Sequence, residues 1–319
     1  MISKDIGEAA EELQSDNIIG LPTETVYGLA GNAYSEIAIS KIFAVKQRPL
    51  FNPLIVHIKS ANFLSEVAIE IPEKAQILAN AFWPGPMTLV LKKKSHIPDI
   101  VTAGKDTVAI RVPSHPLALD LLGQLDFPLA APSANPFGSI SPTCALHVFD
   151  YFDDRLKVIL DGGECQRGIE STIIGFENEV PIIYRLGSLS VDLIQDKVGP
   201  IKTKMHNGEN APEAPGMLSR HYAPSTETYL SEDVDKMIEM HSHKKIGLLL
   251  FKEFKKSIPI EQQEVLSKNG DTSEAAKNLY AAMHRLDKLN LDLIIAERLP
   301  DIGLGRTLND KLERASKKA

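Results

Sequence analysis

The chain has 319 residues, of which 43% are hydrophobic and 24% are charged, and its formal net charge at pH 7 is −7. Because a domain commonly contains roughly 100–200 residues, this length predicts two domains, and the composition is that of a globular protein with a buried core. The negative net charge does not favour a nucleic acid or a membrane as partner, so an anionic ligand must be bound by a local group of basic residues. No stretch approaches the roughly 18 apolar residues of a membrane helix.

The amino terminus and the cysteines favour a cytoplasmic location. Residues 1–14 contain four carboxylates, whereas a secretory signal peptide has a basic flank and an apolar run. Cys144 and Cys165 form no CxxC pair, and two separate thiols fit a reducing compartment.

Short apolar runs alternate with helical patterns over the first two-thirds of the chain. Apolar residues at three- and four-residue steps predict helices over 35–45, 73–82 and 116–125. Runs rich in β-branched residues and bounded by Gly, Pro or Ser predict strands over 18–21, 53–59, 88–92, 107–112, 128–131, 157–160, 171–174 and 181–184. We therefore expect an α/β domain with a broad, open, twisted sheet of mixed direction.

The composition changes near residue 199. Residues 199–224 carry little apolar periodicity, which predicts a linker of about 25 residues between domains at 1–198 and 225–319. It includes Pro200, Gly208, Pro212, Pro215, Gly216 and Pro224. A second, smaller α/β pattern follows, with strands predicted over 226–230, 245–251 and 291–296 and a helix over 275–289 that Asp271 caps.

Four groups of polar residues follow predicted strands or lie in loops, where sites on α/β sheets usually occur. The first is the segment 22–29, PTETVYGL. Its two threonines and its glutamate either bind a small polar ligand or form a hydrogen-bonded turn before a packed tyrosine. The sequence leaves both interpretations open.

The second group is the segment 46–49, KQRP. Because Pro49 ends the preceding helix, Lys46 and Arg48 enter a loop, either as phosphate ligands or as a solvated basic turn. His57 follows within an apolar run, where a histidine is more often a hydrogen-bonded core residue than a ligand.

The third group spans residues 107–143. Thr107 and Arg111 share one face of a predicted strand because side chains alternate along it, and a buried Arg111 needs an anionic partner. The segments 131–135, APSAN, and 141–143, SPT, either contact a phosphate or nucleoside or form a simple turn.

The fourth group joins the segments 168–172, GIEST, and 184–187, YRLG. Glu170 either positions a substrate amine or caps a turn. The sequence has no GxxxxGK[ST] loop, no GxGxxG after a strand, no metal-spaced Cys/His set and no GxSxG elbow. Chemistry must therefore come from hydroxyl, Lys and Arg side chains, which suit charge stabilisation around phosphates.

These motifs, in this order, resemble the long, two-domain form of the YrdC-type threonylcarbamoyl-AMP synthases. The resemblance extends through the linker motif 215–217 with 220–224 to the segment 309–310, next to Lys311 in place of the family's usual Arg. It is carried over residues 18–187 by PTETVYGLA, KQRP with NPLIVHI, PGPMTLVL, VAIRVPSHPLA, LAAPSAN with SPT, DGG with GIEST, and YRLG.

The resemblance implies a YrdC-like first domain, a Rossmann-like second domain and a linker that crosses the active site as a lid. The substrate carboxylate would be the anionic partner of Arg111. The resemblance assigns threonine binding to Thr25, His57, Arg111, Ala131 and Ser171; nucleotide binding to Arg48, Asn52, Thr107, Ser133, Ser141, Arg185 and Tyr222; and phosphate neutralisation to Lys46, Arg48 and Arg185.

The implied reaction joins L-threonine, bicarbonate and ATP, with Mg²⁺ accompanying ATP and no organic cofactor. The products are L-threonylcarbamoyladenylate and diphosphate, and a separate transferase then modifies tRNA. We expect no metal site built from protein ligands.

Two other functions remain open from the sequence. One is a carbamoyltransferase that uses carbamoyl phosphate, although such hydrogenase-maturation proteins carry an acylphosphatase-like start and Cys-rich zinc motifs that this sequence lacks. The other is an RNA-binding module, or weak RNA binding beside catalysis, through Lys46, Arg48, Arg111 and the lysines at 92–94. The net charge of −7 and the few aromatic residues argue against it.

Overall fold

Two sheets of unequal size form from the runs of β-branched residues. The computed structural model describes residues 1–204, 214–217 and 221–317. Its helices are α1 (Ile6–Gln14), α2 (Glu36–Lys46), α3 (Leu64–Val67), α4 (Glu73–Phe82), α5 (Asp99–Thr102), α6 (Pro116–Gln124), α7 (Ala145–Phe152), α8 (Val191–Val198), α9 (Val234–Met240), α10 (Thr272–Asp287) and α11 (Gly305–Ala315). Its strands are β1 (Ile2–Ser3), β2 (Ile19–Leu21), β3 (Gly28–Asn32), β4 (Ile55–His57), β5 (Ala68–Ile69), β6 (Met87–Lys93), β7 (Thr107–Arg111), β8 (Leu129–Ala130), β9 (Ile159–Leu160), β10 (Thr172–Glu177), β11 (Val180–Arg185), β12 (Lys202–Thr203), β13 (Thr228–Ser231), β14 (Ile246–Leu250), β15 (Gln263–Val265) and β16 (Leu293–Glu297).

The larger sheet is mixed in direction, as the sequence predicts. Within the described residues its order is β1-β9-β2-β3-β8-β4-β7-β6-β10-β11-β12, and β5 pairs with β6. β4 and β7 are parallel, whereas β6 and β7 are antiparallel. The smaller sheet has the order β13-β16-β14-β15 and all its pairs are parallel, which confirms a second, Rossmann-like α/β domain.

Each predicted strand is present with shifted ends, but four short strands of the larger sheet lie outside the predictions. β3 has the sequence GLAGN, which lacks β-branched residues, and it forms because β2 and β8 pair with it. β12 lies inside the expected linker and pairs with β11, so the linker does not begin as an irregular segment at 199. None of the helices in the described ranges has both the length and the apolar content to cross a membrane.

The first domain includes α8, whose Ile194 and Val198 join the core formed by the larger sheet and its helices. The domain limits 1–198 and 225–319 stay predictions. Of the expected linker, the structure describes 199–204, 214–217 and 221–224, while Gly208, Pro212 and Arg220 lie outside the described residues.

The end of α2 places the basic motif. Ser35 begins the helix by accepting a hydrogen bond from the amide of Ala38 at 3.2 Å. Gln47 ends it with a left-handed φ of 52°. The amide of Arg48 then donates to the carbonyl oxygen of Phe43 at 3.0 Å, which closes the last turn. Lys46 is therefore the last helical residue and Arg48 enters the following loop, as the position of Pro49 predicts.

The two domains share an apolar contact. Ile140 and Ile169 of the first domain pack into the core that α10 and α11 form. Gly168 lies against α10 with a φ of 71°, and a Cβ there would come within 2.2 Å of the carbonyl oxygen of Lys277. Only glycine fits this approach, so α10 is fixed beside the segment 168–172.

Two histidines stack across the same contact. The rings of His147 in α7 and His284 in α10 have centroids 3.9 Å apart. The Nε2 of His284 lies 3.2 Å from the carbonyl oxygen of Ser141. Burial lowers the pKa of His284 to about 3 and that of His147 to about 4. Both rings are therefore neutral at pH 7.

We expect the protein to lose stability as pH falls below 6.5, because an unfolded histidine binds a proton there and the folded His284 does not. Between pH 7 and pH 5 this one ring should account for about 2 kcal/mol of the loss. His284→Gln keeps an N–H donor and removes the titration. Its free energy of unfolding, from denaturant titrations at both pH values, should fall by about 2 kcal/mol less than that of the wild type.

The matched control is His243→Gln, because His243 is exposed. Its loss of stability between pH 7 and pH 5 should equal that of the wild type. An equal loss in all three proteins would show that His284 does not contribute to the acid sensitivity.

Candidate active site

A cleft of about 570 Å³, including its open mouth, lies on the larger sheet. The loop after β2, the strands β4 and β7, the loop after β8 and the adjoining ends of β10 and β11 supply its walls. The linker covers part of it through Pro215, Gly216, His221 and Tyr222. The cleft therefore forms where the four polar segments of the sequence meet.

Most of the predicted site residues line this cleft. The structure brings together Thr25, Arg48, His57, Arg111, Ala131, Ser133, Ser171, Arg185 and Tyr222. Lys46, Asn52, Thr107 and Ser141 lie outside its lining.

Arg111 and Glu24 form a buried ion pair in the wall of the cleft. The Nη2 of Arg111 lies 2.7 Å from the Oε1 of Glu24, and the exposed fractions of the two side chains are 4% and 3%. The Nη1 of Arg111 donates to the hydroxyl of Thr25 at 2.8 Å. Glu24 is therefore an anionic partner of Arg111 within the chain, which the sequence does not predict, and binding of a substrate carboxylate by Arg111 stays a prediction. Arg111 also holds the hydroxyl of Thr25.

Arg48 and Arg185 are buried and carry like charges, yet neither forms an ion pair with a carboxylate of the described residues. Arg48 donates to the carbonyl oxygens of Asn52 at 3.1 Å and Pro53 at 2.8 Å. Arg185 donates to the carbonyl oxygen of Ser171 at 2.8 and 3.1 Å. Burial, and after it the charge of Arg185, lowers the pKa of Arg48 to about 9. Arg48 therefore remains charged at pH 7, and this side of the cleft, which also holds the guanidinium of Arg185, attracts an anion.

Lys46 supports the cleft from behind. Its Nζ donates to the carbonyl oxygens of Ser133 and Asn135, and its side chain is 1% exposed. Burial, and then the charge of Arg48, lowers the pKa of Lys46 well below its usual value. The prediction of a direct phosphate contact is not supported by this geometry. Lys46 instead ties the end of α2 to the 133–135 loop.

Two other predicted nucleotide ligands lie just beyond the lining. Asn52 is fully buried, and within the described residues neither its amide nitrogen nor its amide oxygen has a hydrogen-bond partner. Ser141 donates its hydroxyl to the Oε1 of Glu170 at 2.6 Å. Nucleotide binding by Asn52 stays a prediction, whereas Ser141 acts on the cleft through Glu170.

Thr107 begins β7, four residues before Arg111 and therefore about 13 Å away along the strand. The two side chains share one sheet face, as the alternation predicts. Ile55 pairs with Ala109, so the start of β7 lies beside the start of β4 and close to the loop that contains Asn52. Contact between Thr107 and a nucleotide stays a prediction, and it requires the ligand to extend along this face.

Two histidines of the cleft have an unpaired Nδ1 atom. His57 on β4 and His221 in the linker are 3% and 6% exposed. Burial, and then the charge of Arg111, lowers the pKa of His57 to about 3. Burial also lowers the pKa of His221 well below its usual value. His57 is thus a neutral residue that lines the cleft, and its Nδ1 has no hydrogen-bond partner among the described residues.

The predicted site omits three residues that line or support the cleft, namely Glu24, Glu170 and His221. Glu24 and Glu170 line or support the cleft but belong to segments for which a turn was an equal interpretation. His221 lies beside Tyr222 and was available from the same linker motif. Only Glu24 had a signal in the sequence, because a buried Arg111 requires an anionic partner, whereas Glu170 pairs with Lys311 and His221 is neutral.

The described residues contain no group of three or more His, Cys, Asp or Glu side chains that could hold a metal. The two carboxylates at the cleft already have partners, because Glu24 pairs with Arg111 and Glu170 with Lys311. These residues do not fit a protein-held metal ion. Mg²⁺, whose ligands in nucleotide sites are largely phosphate oxygens and water, would arrive with the nucleotide.

Comparison with known proteins agrees with this arrangement. The Sua5, YciO and YrdC family model, described as "Telomere recombination", matches residues 11–187. The model described as "Threonylcarbamoyl-AMP synthase, C-terminal domain" matches residues 188–317. The chain belongs to the threonylcarbamoyl-AMP synthase family.

Relatives in this family match nearly the whole chain. A threonylcarbamoyl-AMP synthase of Pyrococcus abyssi is 39% identical over 97% of this chain and 93% of its own length. One of Bacillus subtilis is 37% identical over 98% of this chain and 92% of its own. The crystal structure of P. abyssi Sua5 complexed with L-threonine superposes with a TM-score of 0.91 and 38% identity, and the match covers 98% of this chain and 94% of that one.

Asn52→Leu should stabilise the free protein and weaken its binding of ATP. The substitution replaces an unsatisfied buried amide with an apolar group of similar volume, which should raise the free energy of unfolding by about 1–3 kcal/mol. Denaturant titration measures the gain, and calorimetric titration measures the affinity for ATP. A stabilised variant with wild-type affinity would remove Asn52 from the nucleotide site.

Proposed function

We propose that the protein is a threonylcarbamoyl-AMP synthase that converts L-threonine, bicarbonate and ATP to L-threonylcarbamoyladenylate and diphosphate. The observation that carries this proposal is the pair Arg48 and Arg185, which are buried in the cleft without a carboxylate partner among the described residues. A polyphosphate supplies the anionic charge that such a pair requires.

The threonine would bind at the other end of the cleft. There His57, Arg111 and Ser171 lie with Thr25 and Ala131 around a small polar space. The P. abyssi relative was solved with L-threonine, which supports a threonine site in this cleft. The unpaired Nδ1 of His57 offers a hydrogen bond that no protein group of the described chain uses.

The nucleotide would extend from Ser133 and Tyr222 past Arg185 and Arg48 toward Asn52 and Thr107. This path follows the sheet face from the carboxyl end of β4 to its beginning. Lys46 and Ser141 would act indirectly, Lys46 by fixing the 133–135 loop and Ser141 by binding Glu170. The triphosphate would then lie beside the guanidinium groups of Arg48 and Arg185.

The chemistry requires orientation more than acid–base catalysis. Bicarbonate and the threonine amine form a carbamate with loss of water. A carbamate oxygen then attacks the α-phosphorus of ATP in line, and the bond to the β-phosphate oxygen breaks to release diphosphate. Because the carbamate is already anionic, a strong general base is unnecessary, which agrees with the lowered pKa of His57. Arg48 and Arg185 would stabilise the charge that develops on the phosphates.

ATP would enter as its Mg²⁺ complex, and the product would pass to a separate transferase that modifies tRNA in the cytoplasm. An adenylate of this type hydrolyses in water, so the linker over the cleft would protect it.

The RNA-binding alternative loses most of the residues on which it depended. Lys46, Arg48 and Arg111 are buried and cannot form a basic surface. Lys92 pairs with Glu70 and Lys93 with Asp99, although both lie nearer the surface. Weak RNA binding and the carbamoyl-phosphate reaction stay predictions, and no contact of the described residues favours either.

Diphosphate release should require ATP, Mg²⁺, L-threonine and bicarbonate together. Purified protein is incubated with all four components and then with each one omitted in turn. Release that persists without threonine or bicarbonate, or an absence of release from the complete mixture, would refute the synthase proposal. Carbamoyl phosphate in place of bicarbonate, with ATP retained as the source of diphosphate, tests the remaining enzymatic alternative.

Arg48→Ala should lower kcat by about 10²–10³, because it removes one charge-stabilising donor from the transition state. Arg48→Lys should retain part of the rate, since it keeps the charge but not the planar donor pair. The control is Arg285→Ala, whose exposed side chain pairs with Glu264 away from the cleft. Full activity of Arg48→Ala would exclude this residue from the phosphate site.

A further inference from the structure

Glu170 in the wall of the cleft receives most of its contacts from the second domain. Its Oε1 accepts the hydroxyl of Ser141 at 2.6 Å, which belongs to the first domain. Its Oε2 accepts the hydroxyl of Tyr280 in α10 at 2.8 Å. The Nζ of Lys311 in α11 lies 3.2 Å from the same oxygen. The second domain therefore controls the charge of a residue that lines the active-site cleft.

The ion pair between Glu170 and Lys311 is fully enclosed, with exposed side-chain fractions of 7% and 1%. Burial alone would raise the pKa of Glu170, but Lys311 and then Arg185 lower it to about 2. Without Lys311, a buried negative charge would lose its nearest cation and would face the cleft. That charge would repel the phosphates that Arg48 and Arg185 attract.

The same lysine holds the linker. Its Nζ donates to the hydroxyl of Tyr222 at 2.9 Å. The ring of Tyr222 stacks on that of Tyr280, with centroids 5.6 Å apart. Tyr222 is fully buried and has a φ of 64°, a conformation that a residue with a side chain rarely adopts without support. Lys311 and Tyr280 provide that support, and Tyr222 lines the cleft.

We infer that Lys311 is a positioning residue for nucleotide binding, because it cancels the charge that Glu170 would otherwise present to the cleft beside Tyr222. The second domain thereby completes a site whose other ligands come from the first domain and the linker. This inference rests on the proposed function, in which the cleft binds ATP.

The test measures ATP affinity by calorimetric titration of full-length wild type, Lys311→Met, Lys311→Arg and the double variant Lys311→Met/Glu170→Gln. Methionine keeps the length and the apolar stem of lysine and removes the charge. Lys311→Met should weaken ATP binding about tenfold or more, within the roughly 5- to 150-fold range usual for coupled sites. Lys311→Arg keeps a charged donor and should restore most of the affinity.

The double variant separates charge from packing. If Lys311 acts by cancelling the charge of Glu170, removal of both charges should recover most of the affinity that Lys311→Met loses. A double variant as weak as the single one would overturn the inference. If Lys311→Met fails to fold, the double variant serves as the test, because it leaves no unpaired buried charge. An ATP affinity of the double variant more than about tenfold below that of the wild type would then overturn the inference.

Lys288→Met is the matched control. It removes another lysine of an interdomain ion pair, with Asp150 at 2.6 Å, but this pair is exposed. ATP affinity should stay at the wild-type value. An equal loss in Lys288→Met would show that any weakened domain contact lowers affinity, and it would overturn a specific role for Lys311.

Diphosphate release by the wild type distinguishes this inference from the proposed function. A wild type that binds ATP but releases no diphosphate refutes the synthase proposal, while the affinity series still decides the role of Lys311. Normal turnover of the wild type with unchanged ATP affinity in Lys311→Met overturns the inference alone.

Discussion

The rest of the site depends on two buried guanidinium groups that lack a carboxylate partner among the described residues. Arg48 and Arg185 are held by backbone carbonyls, which accept hydrogen bonds from some of their N–H groups without cancelling their charge. In a medium of low effective dielectric constant, their mutual repulsion persists until an anion enters. The loop after α2 and the segment before β10 hold the two guanidinium groups in place despite this repulsion, because they provide the carbonyl acceptors. The backbone therefore positions two cationic groups at the cleft, as the proposed binding of a polyphosphate requires.

Two buried carboxylates of the described residues at the cleft each pair with a cation. Glu24 pairs with Arg111 and Glu170 with Lys311, and each pair is buried. The arrangement adds no net charge at either pair, so the excess positive charge of the cleft stays with Arg48 and Arg185. A buried ion pair contributes little to stability compared with apolar packing, but it fixes where charge lies. In the proposed function, the phosphates would bind beside Arg48 and Arg185, and the threonine beside the Glu24–Arg111 pair.

The sequence predicts the elements and most cleft residues, because β-branched runs and local motifs such as KQRP are short-range signals. It does not predict β3, which has no β-branched residue and exists through pairing with β2 and β8. It also does not predict Glu24 as the partner of Arg111 within the chain, or the carbonyl contacts of Lys46. Those outcomes depend on which groups meet across distant loops: Glu24 with Arg111, and Lys46 with the 133–135 carbonyls. Charge compensation over such separations has no pattern along the chain.

The linker contacts both domains beside Arg185, a residue that lines the cleft. The Nη1 of Arg185 lies 3.3 Å from the carbonyl oxygen of Pro215, and the Nη1 of Arg314 in α11 lies 3.2 Å from that of Gly216. The linker is therefore bound at adjacent peptides by both domains. Because Arg185 also lines the cleft, a phosphate bound to its guanidinium, as the proposed function requires, would compete with the carbonyl oxygen of Pro215 for this donor. Ligand binding and linker position would then be coupled.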